Sequence, residues 1–214
     1  MPRTGERGGP QTRARIAEVA AGLFVERGYD AVTVAEVARH AGVSSVTVFN
    51  HFPRKEDLYL DRADDAVEIL RSAVRDRSPD VDVVDALRDA TLRLVDARHP
   101  LSGVNDRSVP FFRTVSASSA LLARAREIAA ELQQALAEEL ERDPRFAGDA
   151  TLLAAFFIAG YSTVMTGTAR RLVAGEPLES LLDDHRLRFE RLFDALRRRV
   201  DKPLTTSAPA TRQG

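Results

Sequence analysis

Apolar residues recur at spacings of three and four along nearly the whole chain, and no stretch has the sustained alternation of a β-strand. The first such segment begins at Thr12, and Gly28 stands where a left-handed cap would end a helix. Its apolar residues are Ile16, Val19, Ala20, Leu23 and Phe24. This spacing predicts an all-α fold.

Later segments repeat the helical period and divide at prolines, glycines and short polar runs. The chain of 214 residues, 44% of them hydrophobic, can bury a sizeable core. The longest apolar run, residues 152–165, is shorter than the roughly 20 residues of a membrane-spanning helix. With no cysteine and no readable secretory signal, the sequence predicts a cytoplasmic protein without a membrane partner. Further helices are predicted at 56–75, 83–99, a short piece around 111–112, 119–142 after a Ser118 cap, 149–173 and 178–200, with a loop at 100–106.

Charge is distributed unevenly along the chain. The net charge is −1, but residues 1–55 contain eight basic and five acidic side chains, a local charge of +3. A basic head on an acidic body is compatible with nucleic-acid binding, because the field at the contact face matters more than the total charge.

Two short helices joined by a tight turn are predicted within residues 33–53. TVAE at 33–36 has the pattern of a capping box, in which the Thr33 hydroxyl and the glutamate carboxylate satisfy each other's backbone N–H groups. The helix after it runs from Val34 to His40, Gly42 supplies the turn, and Ser44 caps a third helix that must end before Pro53. This is the helix-turn-helix arrangement, whose second helix enters the DNA major groove.

Side chains of this segment divide into an inner and an outer set. The inner set packs against helix one and comprises Val34, Val37, Ala38, Val43, Val48 and Phe52. Candidate DNA contacts are Thr33, Ser44, Ser45, Val46, Thr47, Phe49, Asn50 and His51, with Lys55 placed for a phosphate. Hydroxyls can bond several bases, asparagine can bond adenine bidentately, and valine can touch a thymine methyl group. Similar helix pairs occur in ordinary bundles, so a protein-interaction module that does not bind DNA stays the alternative.

The segment GYDAVTVAEVARHAGVSSVTVFNHFPRKEDL, residues 28–58, closely resembles the N-terminal DNA-binding domain of the TetR family of transcriptional regulators. The resemblance implies a three-helix DNA-binding head over residues 12–70 and a larger helical body over 71–200 that dimerises and binds an effector. It places Ser45–His51 on the recognition helix and Lys55 on a phosphate-binding lysine. The family often has glycine at the position of Val46 and tyrosine at that of Phe49, so a different DNA preference is expected. Residues 1–11 and 201–214 are predicted to be disordered tails.

The implied function is a homodimeric repressor that leaves a palindromic operator when a small lipophilic effector binds. Candidate effector contacts are Phe111, Phe112, Arg113, Phe156, Phe157, Tyr161 and Met165, with His99 as a further polar group. Candidate dimer contacts form a stripe of Leu181, Leu182, Phe189, Leu192, Phe193, Leu196 and Val200, which would pair with the 152–165 run in a four-helix interface.

Neither an enzyme nor a metal site is predicted. GYSTV at 160–164 lacks the second glycine of a nucleophile elbow and lies in a helical pattern, so core packing is expected. The histidines have no close histidine or cysteine companion, and Asp183, Asp184 and His185 are expected on a solvated helix face. No Gly-rich phosphate loop is present in the sequence, and no cofactor is predicted.

Overall fold

The computed structural model describes residues 9–200, which form nine α-helices and no β-strand. This confirms the predicted all-α fold. The predicted tails lie outside the described residues, except that Gly9 is the N-cap of the first helix and residues 10–11 are its first two residues. The helices are α1 (Pro10–Arg27), α2 (Val34–His40), α3 (Ser45–His51), α4 (Ala63–Arg75), α5 (Val83–Asp96), α6 (Ser108–Ala117), α7 (Ser119–Arg142), α8 (Ala150–Val173) and α9 (Leu178–Val200).

The first three helices form a small head with its own core. Phe24 of α1 and Val37 of α2 are fully buried, and Val48 of α3 is 1% exposed. Helix α1 begins two residues before the predicted start because proline suits the first helical position, where no N–H partner is needed. Gly28 ends α1 with φ of 83°, a conformation that other residues rarely adopt, although the chain leaves extended rather than in a left-handed turn.

The predicted continuous helix from residue 56 to 75 is wrong. Glu56–Leu58 form a single 3₁₀ turn, and α4 begins only at Ala63. Leu58 and Tyr59 are buried in the head core, and the Asp61 carbonyl accepts a 2.9 Å hydrogen bond from Arg13 of α1. These contacts hold residues 58–61 to the head, so the helix that enters the body starts after them.

The segment after α5 also differs from its prediction. Helix α5 ends at Asp96, and Arg98 has a positive φ of 48°. A 3₁₀ turn at Pro100–Ser102 follows, where a loop was predicted. Its N-cap is His99, whose Nδ1 accepts from the Leu101 N–H at 3.2 Å. The ring that was proposed to meet an effector therefore completes a local turn.

The body is a bundle in which α8 packs between α7 and α9, while α4 lies against α7 and α5 against α9. Leu136, Leu153, Phe157 and Phe193 are central to its largest apolar cluster. By length and composition alone, α8 is also the one helix among residues 9–200 that could cross a membrane. The core helix of a soluble protein meets the same criterion, and one side of α8 is core here.

Helices α8 and α9 approach closely at two glycines. A Cβ added at Gly160 would overlap the Leu192 side chain, and one at Gly167 would overlap the Arg188 guanidinium. Residues 160–164 lie in the middle of continuous α8, with no strand before them. The segment that starts like a nucleophile elbow is therefore a helix-packing element.

The apolar stripe of α9 predicted for dimerisation is largely buried within one chain, and the predicted solvated position of His185 is wrong. Four of the predicted dimer contacts are 0–5% exposed: Leu181, Phe189, Phe193 and Leu196. Leu192 is half-buried over Gly160, and the side chain of Val200 lies outside the described residues. His185 is 1% exposed, not on a solvated face, and its Nδ1 and Nε2 contact Thr168 Oγ1 at 2.7 Å and the Ser102 carbonyl at 2.9 Å.

Candidate DNA-binding surface and the body that carries it

The capping box at the start of α2 is formed as predicted. Thr33 Oγ1 accepts from the Glu36 N–H at 3.2 Å, and the Glu36 carboxylate accepts from the Thr33 N–H at 2.8 Å. These bonds from Thr33, together with the Arg27 guanidinium, hold the pKa of Glu36 at about 2. The Thr33 hydroxyl also donates to Glu36 at 2.9 Å, so this candidate DNA contact is engaged in the cap.

The N-terminus of α3 uses two further candidate hydroxyls. Ser44 Oγ accepts from the Thr47 N–H at 3.0 Å, and the two hydroxyl oxygens lie 2.9 Å apart. Gly42, with φ of 65°, makes the turn that aims α3 away from α2. The local structure of the helix-turn-helix thus follows from its sequence, and it engages Ser44 and Thr47 with each other.

The outward face of α3 is more apolar than a solvated helix face. Val46 is 69% exposed and Phe49 is 50% exposed, and Asn50 lies beside them in sequence and is also exposed. Ser45 and His51 are half-buried. The structure therefore brings the predicted recognition residues onto one short helix but presents only some of them fully.

Lys55 does not face outward in this conformation. Its Nζ donates a 2.7 Å hydrogen bond to the Tyr29 carbonyl and lies 4.1 Å from the centre of the Tyr29 ring. Partial burial lowers the pKa of this ammonium. In this conformation Lys55 holds the loop after α1, so the predicted phosphate contact would require its side chain to turn outward.

Most of the described basic residues of the head have internal partners. Arg13 donates to the Asp61 carbonyl and lies over the Phe52 ring, and Arg27 pairs with Glu36. Within residues 9–200, the exposed side chains of Arg15 and Arg39 have no ion-pair partner. They are the most available cations of the head for a phosphate backbone.

A charged cluster that sequence reasoning missed joins the head to the body. Arg124 of α7, with 12% of its side chain exposed, donates to Asp57 at 2.8 Å and to Glu131 at 2.6 Å. Arg54, close after α3, pairs with Glu127 of α7. The only sequence signal was the spacing of 124, 127 and 131 on one helix face, which does not reveal a partner 67 residues away.

Aromatic stacking supports the same junction. The rings of Tyr59 and Phe111 stack with centroids 5.2 Å apart, and Phe111 contacts Phe112 edge-on at 5.3 Å. Ser118, the predicted N-cap of α7, donates a 3.3 Å hydrogen bond to Asp30 of the head. Phe111, a candidate effector contact, thus belongs to the head–body contact.

The remaining candidate effector residues do not converge on one cavity. Phe112 and Met165 pack near Gly103, where a Cβ would overlap Met165, and Tyr161 donates a 2.8 Å hydrogen bond to the Leu101 carbonyl. Phe157 is core. Arg113 is exposed, and Phe156 is 52% exposed on the outer side of α8.

An open groove of about 810 Å³ lies between α4 and α5. Its lining includes the apolar side chains of Ile69, Ala73, Ala90 and Leu94, and His99 lies among the polar groups of its wall. Of the residues suggested for the effector, only His99 borders it. Sequence reasoning missed this groove because alanines at helical spacing look the same whether a neighbouring helix or empty space faces them.

A long uncharged face of α8 points out of the bundle. Leu152, Phe156, Ala159 and Thr163 follow one another at spacings of four, three and four and are all exposed. The Thr163 hydroxyl donates to the Ala159 carbonyl at 2.8 Å, so it needs no other partner. The signal was in the sequence: residues 150–169 contain no charged side chain.

Within residues 9–200, no group of three or more histidine, aspartate or glutamate side chains could hold a metal ion. Asp184, once considered beside His185, instead pairs with Arg171 at 2.6 Å.

Comparison with known sequences finds a family match for the head. Residues 16–61 match the family described as bacterial regulatory proteins, tetR family. Over 65 residues the chain is 38% identical to the HTH-type transcriptional activator FasR of Mycolicibacterium smegmatis. The matched segment covers 30% of each protein. Over 91 residues it is 31% identical to the HTH-type transcriptional repressor KstR2 of Rhodococcus jostii, covering 41% of this chain and 45% of that protein. The chain thus spans less than half the length of these curated relatives.

Solved structures resemble the chain over most of its length. A TetR-family regulator from Streptomyces coelicolor A3 superposes with a TM-score of 0.57 at 24% identity and covers 92% of this chain and 98% of its own. FadR of Thermus thermophilus, a TetR-family transcriptional repressor solved with lauroyl-CoA, superposes with a TM-score of 0.51 at 24% identity. It covers 94% of this chain and 100% of its own. At this identity the likeness establishes the fold alone.

Proposed function

We propose that this chain, whose N-terminal domain belongs to the TetR family of bacterial regulatory proteins, is a cytoplasmic DNA-binding regulator that represses transcription as a ligand-responsive homodimer. The observation that carries the proposal is the pair α2 and α3: a capped helix, a glycine turn, and a second capped helix whose outer face carries exposed Val46, Phe49 and Asn50. A short helix with such a face fits the major groove of DNA.

The alternative is a helical module that uses the same face to bind a protein. Selection of bound sequences from a random duplex library distinguishes the two, because only a DNA reader enriches a motif. We expect a palindrome whose half-sites lie about one helical turn, or a multiple of it, apart. Failure to enrich any motif, with no retention on duplex DNA at low salt, would contradict DNA reading and favour the protein module.

Repression, rather than activation, is the mode that we propose. One relative is named an activator and another a repressor, so whether this protein lowers or raises transcription needs its own test. A reporter promoter that contains the selected motif should lose output when the protein is expressed and regain it when an effector is added. Increased output on expression would reverse the assignment.

Dimerisation is proposed through the outer face of α8 and not through the buried stripe of α9. Leu152 and Phe156 are each 52% exposed, and Leu187 of neighbouring α9 is 41% exposed. Apolar side chains at successive turns of an uncharged face are best explained by cover from a second copy, and a two-fold pairing of α8 and α9 supplies it.

The effector is proposed to be small and lipophilic. Two regions support this: the Phe112 and Met165 cluster beneath α6, and the apolar floor of the α4–α5 groove. A thermal-shift screen of hydrophobic acids and aromatic compounds should find stabilisers that also release DNA. Ala90→Leu, which fills the groove, and Phe112→Ala, which empties the cluster, separate the two regions. Hits indifferent to both changes would place the effector elsewhere.

A further inference from the structure

The recognition helix exposes two large apolar side chains on one side. Val46 and Phe49 are three residues apart, so they are neighbours on the helix surface, and they are 69% and 50% exposed. Their sequence neighbours Val48 and Phe52 are each 1% exposed and complete the head core. The helix therefore has an inner apolar set that completes the core and an outer apolar set that the fold leaves exposed.

Polar readers of base edges are few on the same helix. The Thr47 hydroxyl is hydrogen-bonded to that of Ser44, and His51 is half-buried. Asn50 is therefore the one polar side chain within Ser45–His51 that is classed as exposed. The helix contains no lysine or arginine. Bidentate contact from these two residue types is the commonest way to recognise guanine in the major groove.

Basic residues next to α3 in sequence do not supply the missing contact. Arg54 pairs with Glu127 of the body, and Lys55 bonds the Tyr29 carbonyl. Arg39, in the last turn of α2, is exposed and has no ion-pair partner within residues 9–200. Arg39, before the turn, suits contact with a phosphate. The apolar face of α3, after the turn, suits contact with an apolar group in the groove.

The major groove has one apolar group to offer, the C5-methyl group of thymine. We propose that Val46 and Phe49 read thymine methyl groups, so that each operator half-site contains thymines opposite these side chains and the protein distinguishes thymine from uracil there. The inference rests on the proposed function, since it requires α3 to lie in the major groove. A valine side chain and a phenyl ring can contact a methyl group without any hydrogen bond. The contact removes apolar surface of both partners from water.

The test removes single methyl groups from DNA. After a bound motif has been selected, duplexes carry deoxyuridine in place of one thymine at a time, and affinities are measured by fluorescence anisotropy at fixed salt. At each contacted position the parent protein should bind about fourfold more weakly, the value expected for one buried methyl group. Thymines outside the α3 footprint serve as internal controls.

Protein variants identify the reader. Val46→Ala and Phe49→Ala should each abolish discrimination between thymine and uracil at its own position and leave discrimination at the other. Val25→Ala, which alters another half-exposed valine on α1, should leave the pattern unchanged. Because Val46 and Phe49 lie outside the head core, melting temperatures near that of the parent are expected and verify that the variants fold.

The outcomes separate this inference from the proposed function. Equal affinity for thymine and uracil duplexes at every position overturns methyl reading, while a selected palindrome would still support a DNA-binding regulator. Unchanged discrimination in both alanine variants also overturns it, because other residues would then be the readers. Absence of any selected motif overturns the proposed function itself, and a protein partner lost on Phe49→Ala would then account for the exposed face.

Discussion

Arg124 of α7 donates a 2.8 Å hydrogen bond from Nε to Asp57, which lies in the 3₁₀ turn close after α3. The bond joins body to head across 67 positions of sequence. It is supported by Glu127 and Glu131, so the guanidinium faces three carboxylates.

Removing this contact should loosen the head before it meets DNA. Arg124→Gln is expected to weaken operator binding severalfold, since a freer head loses more conformational entropy on binding. Asp57→Asn should have a similar effect. The loss of binding free energy in the double variant should be smaller than the sum of the two single losses by about 0.5–1 kcal/mol, because the two residues are coupled neighbours. Anisotropy titrations measure all three. Arg126→Gln, an exposed arginine on the same helix, is the control, and strict additivity would show that the contact transmits nothing.

Lys55 should act on stability and not on the salt dependence of DNA binding. Lys55→Met keeps the apolar stem but leaves the Tyr29 carbonyl without its donor, at a cost of about 1 kcal/mol in the free energy of unfolding. The slope of log affinity against log salt should match the parent, whereas Arg39→Met should reduce that slope by about 1. Denaturant titrations and binding at several salt concentrations test both. A reduced slope for Lys55→Met would mean that the side chain turns outward on DNA.

Phe156→Glu should separate the two chains of the proposed dimer while each chain stays folded. The side chain is 52% exposed in one chain, so a carboxylate is tolerated there, but burial against its symmetry mate without a partner is costly. Light scattering should find a dimeric parent and a monomeric variant with unchanged helical content. Leu122→Glu, at a 37% exposed leucine of α7, should stay dimeric. A monomeric parent at micromolar concentration would refute the proposed interface.

Gly160→Ala should destabilise the body because the new Cβ would overlap Leu192. We expect a net loss of about 1–3 kcal/mol, since overpacking outweighs the gain in helix propensity. Gly22→Ala in α1 is the matched control: no atom lies within 4 Å of its added Cβ, so the change should stabilise the head by up to about 1 kcal/mol. Urea unfolding of both variants gives the comparison. Equal effects would mean that α9 yields to the extra methyl group.

His185 should make the body less stable as the solution is acidified. Burial lowers the pKa of this imidazole to about 4, so the unfolded chain, with an ordinary value near 6.5, takes up the proton first. Stability from this group is complete above pH 6.5 and is lost as pH falls towards 4, which amounts to about 2 kcal/mol between pH 7.5 and 5. Urea midpoints at both values measure it. His185→Gln should flatten the dependence, and an unchanged slope would assign the effect to other groups.

The head was predictable because its determinants are local. The Thr33 capping box, the Gly42 turn and the Ser44 cap each involve residues within four positions of one another, so sequence spacing alone specifies them. The orientation of Lys55 is not local. It depends on a carbonyl 26 positions earlier, which becomes available only when the loop after α1 folds back.

The body was predictable as helices but not as surfaces. The apolar stripe of α9 had the right period, yet period cannot tell whether a neighbour in the same chain or a second chain covers it; α5 and α8 cover Phe189 and Phe193. The break before Ala63 depends on Arg13 reaching the Asp61 carbonyl, a contact 48 positions apart. In both cases long-range packing decided what periodicity left open.

The internal pairing of head cations has a consequence for target search. Of six described basic residues up to position 55, Arg13, Arg27, Arg54 and Lys55 are held by partners within the chain. Attraction to arbitrary DNA comes almost entirely from cations that displace condensed counterions, and the same attraction keeps a protein sliding along a chromosome. If the chain reads DNA as proposed, a head whose described basic residues include only Arg15 and Arg39 without an internal partner should leave random DNA quickly and reach its operator chiefly from free solution. Promoter occupancy should then follow the number of copies of the protein per operator, because little of the protein would be held by the rest of the genome.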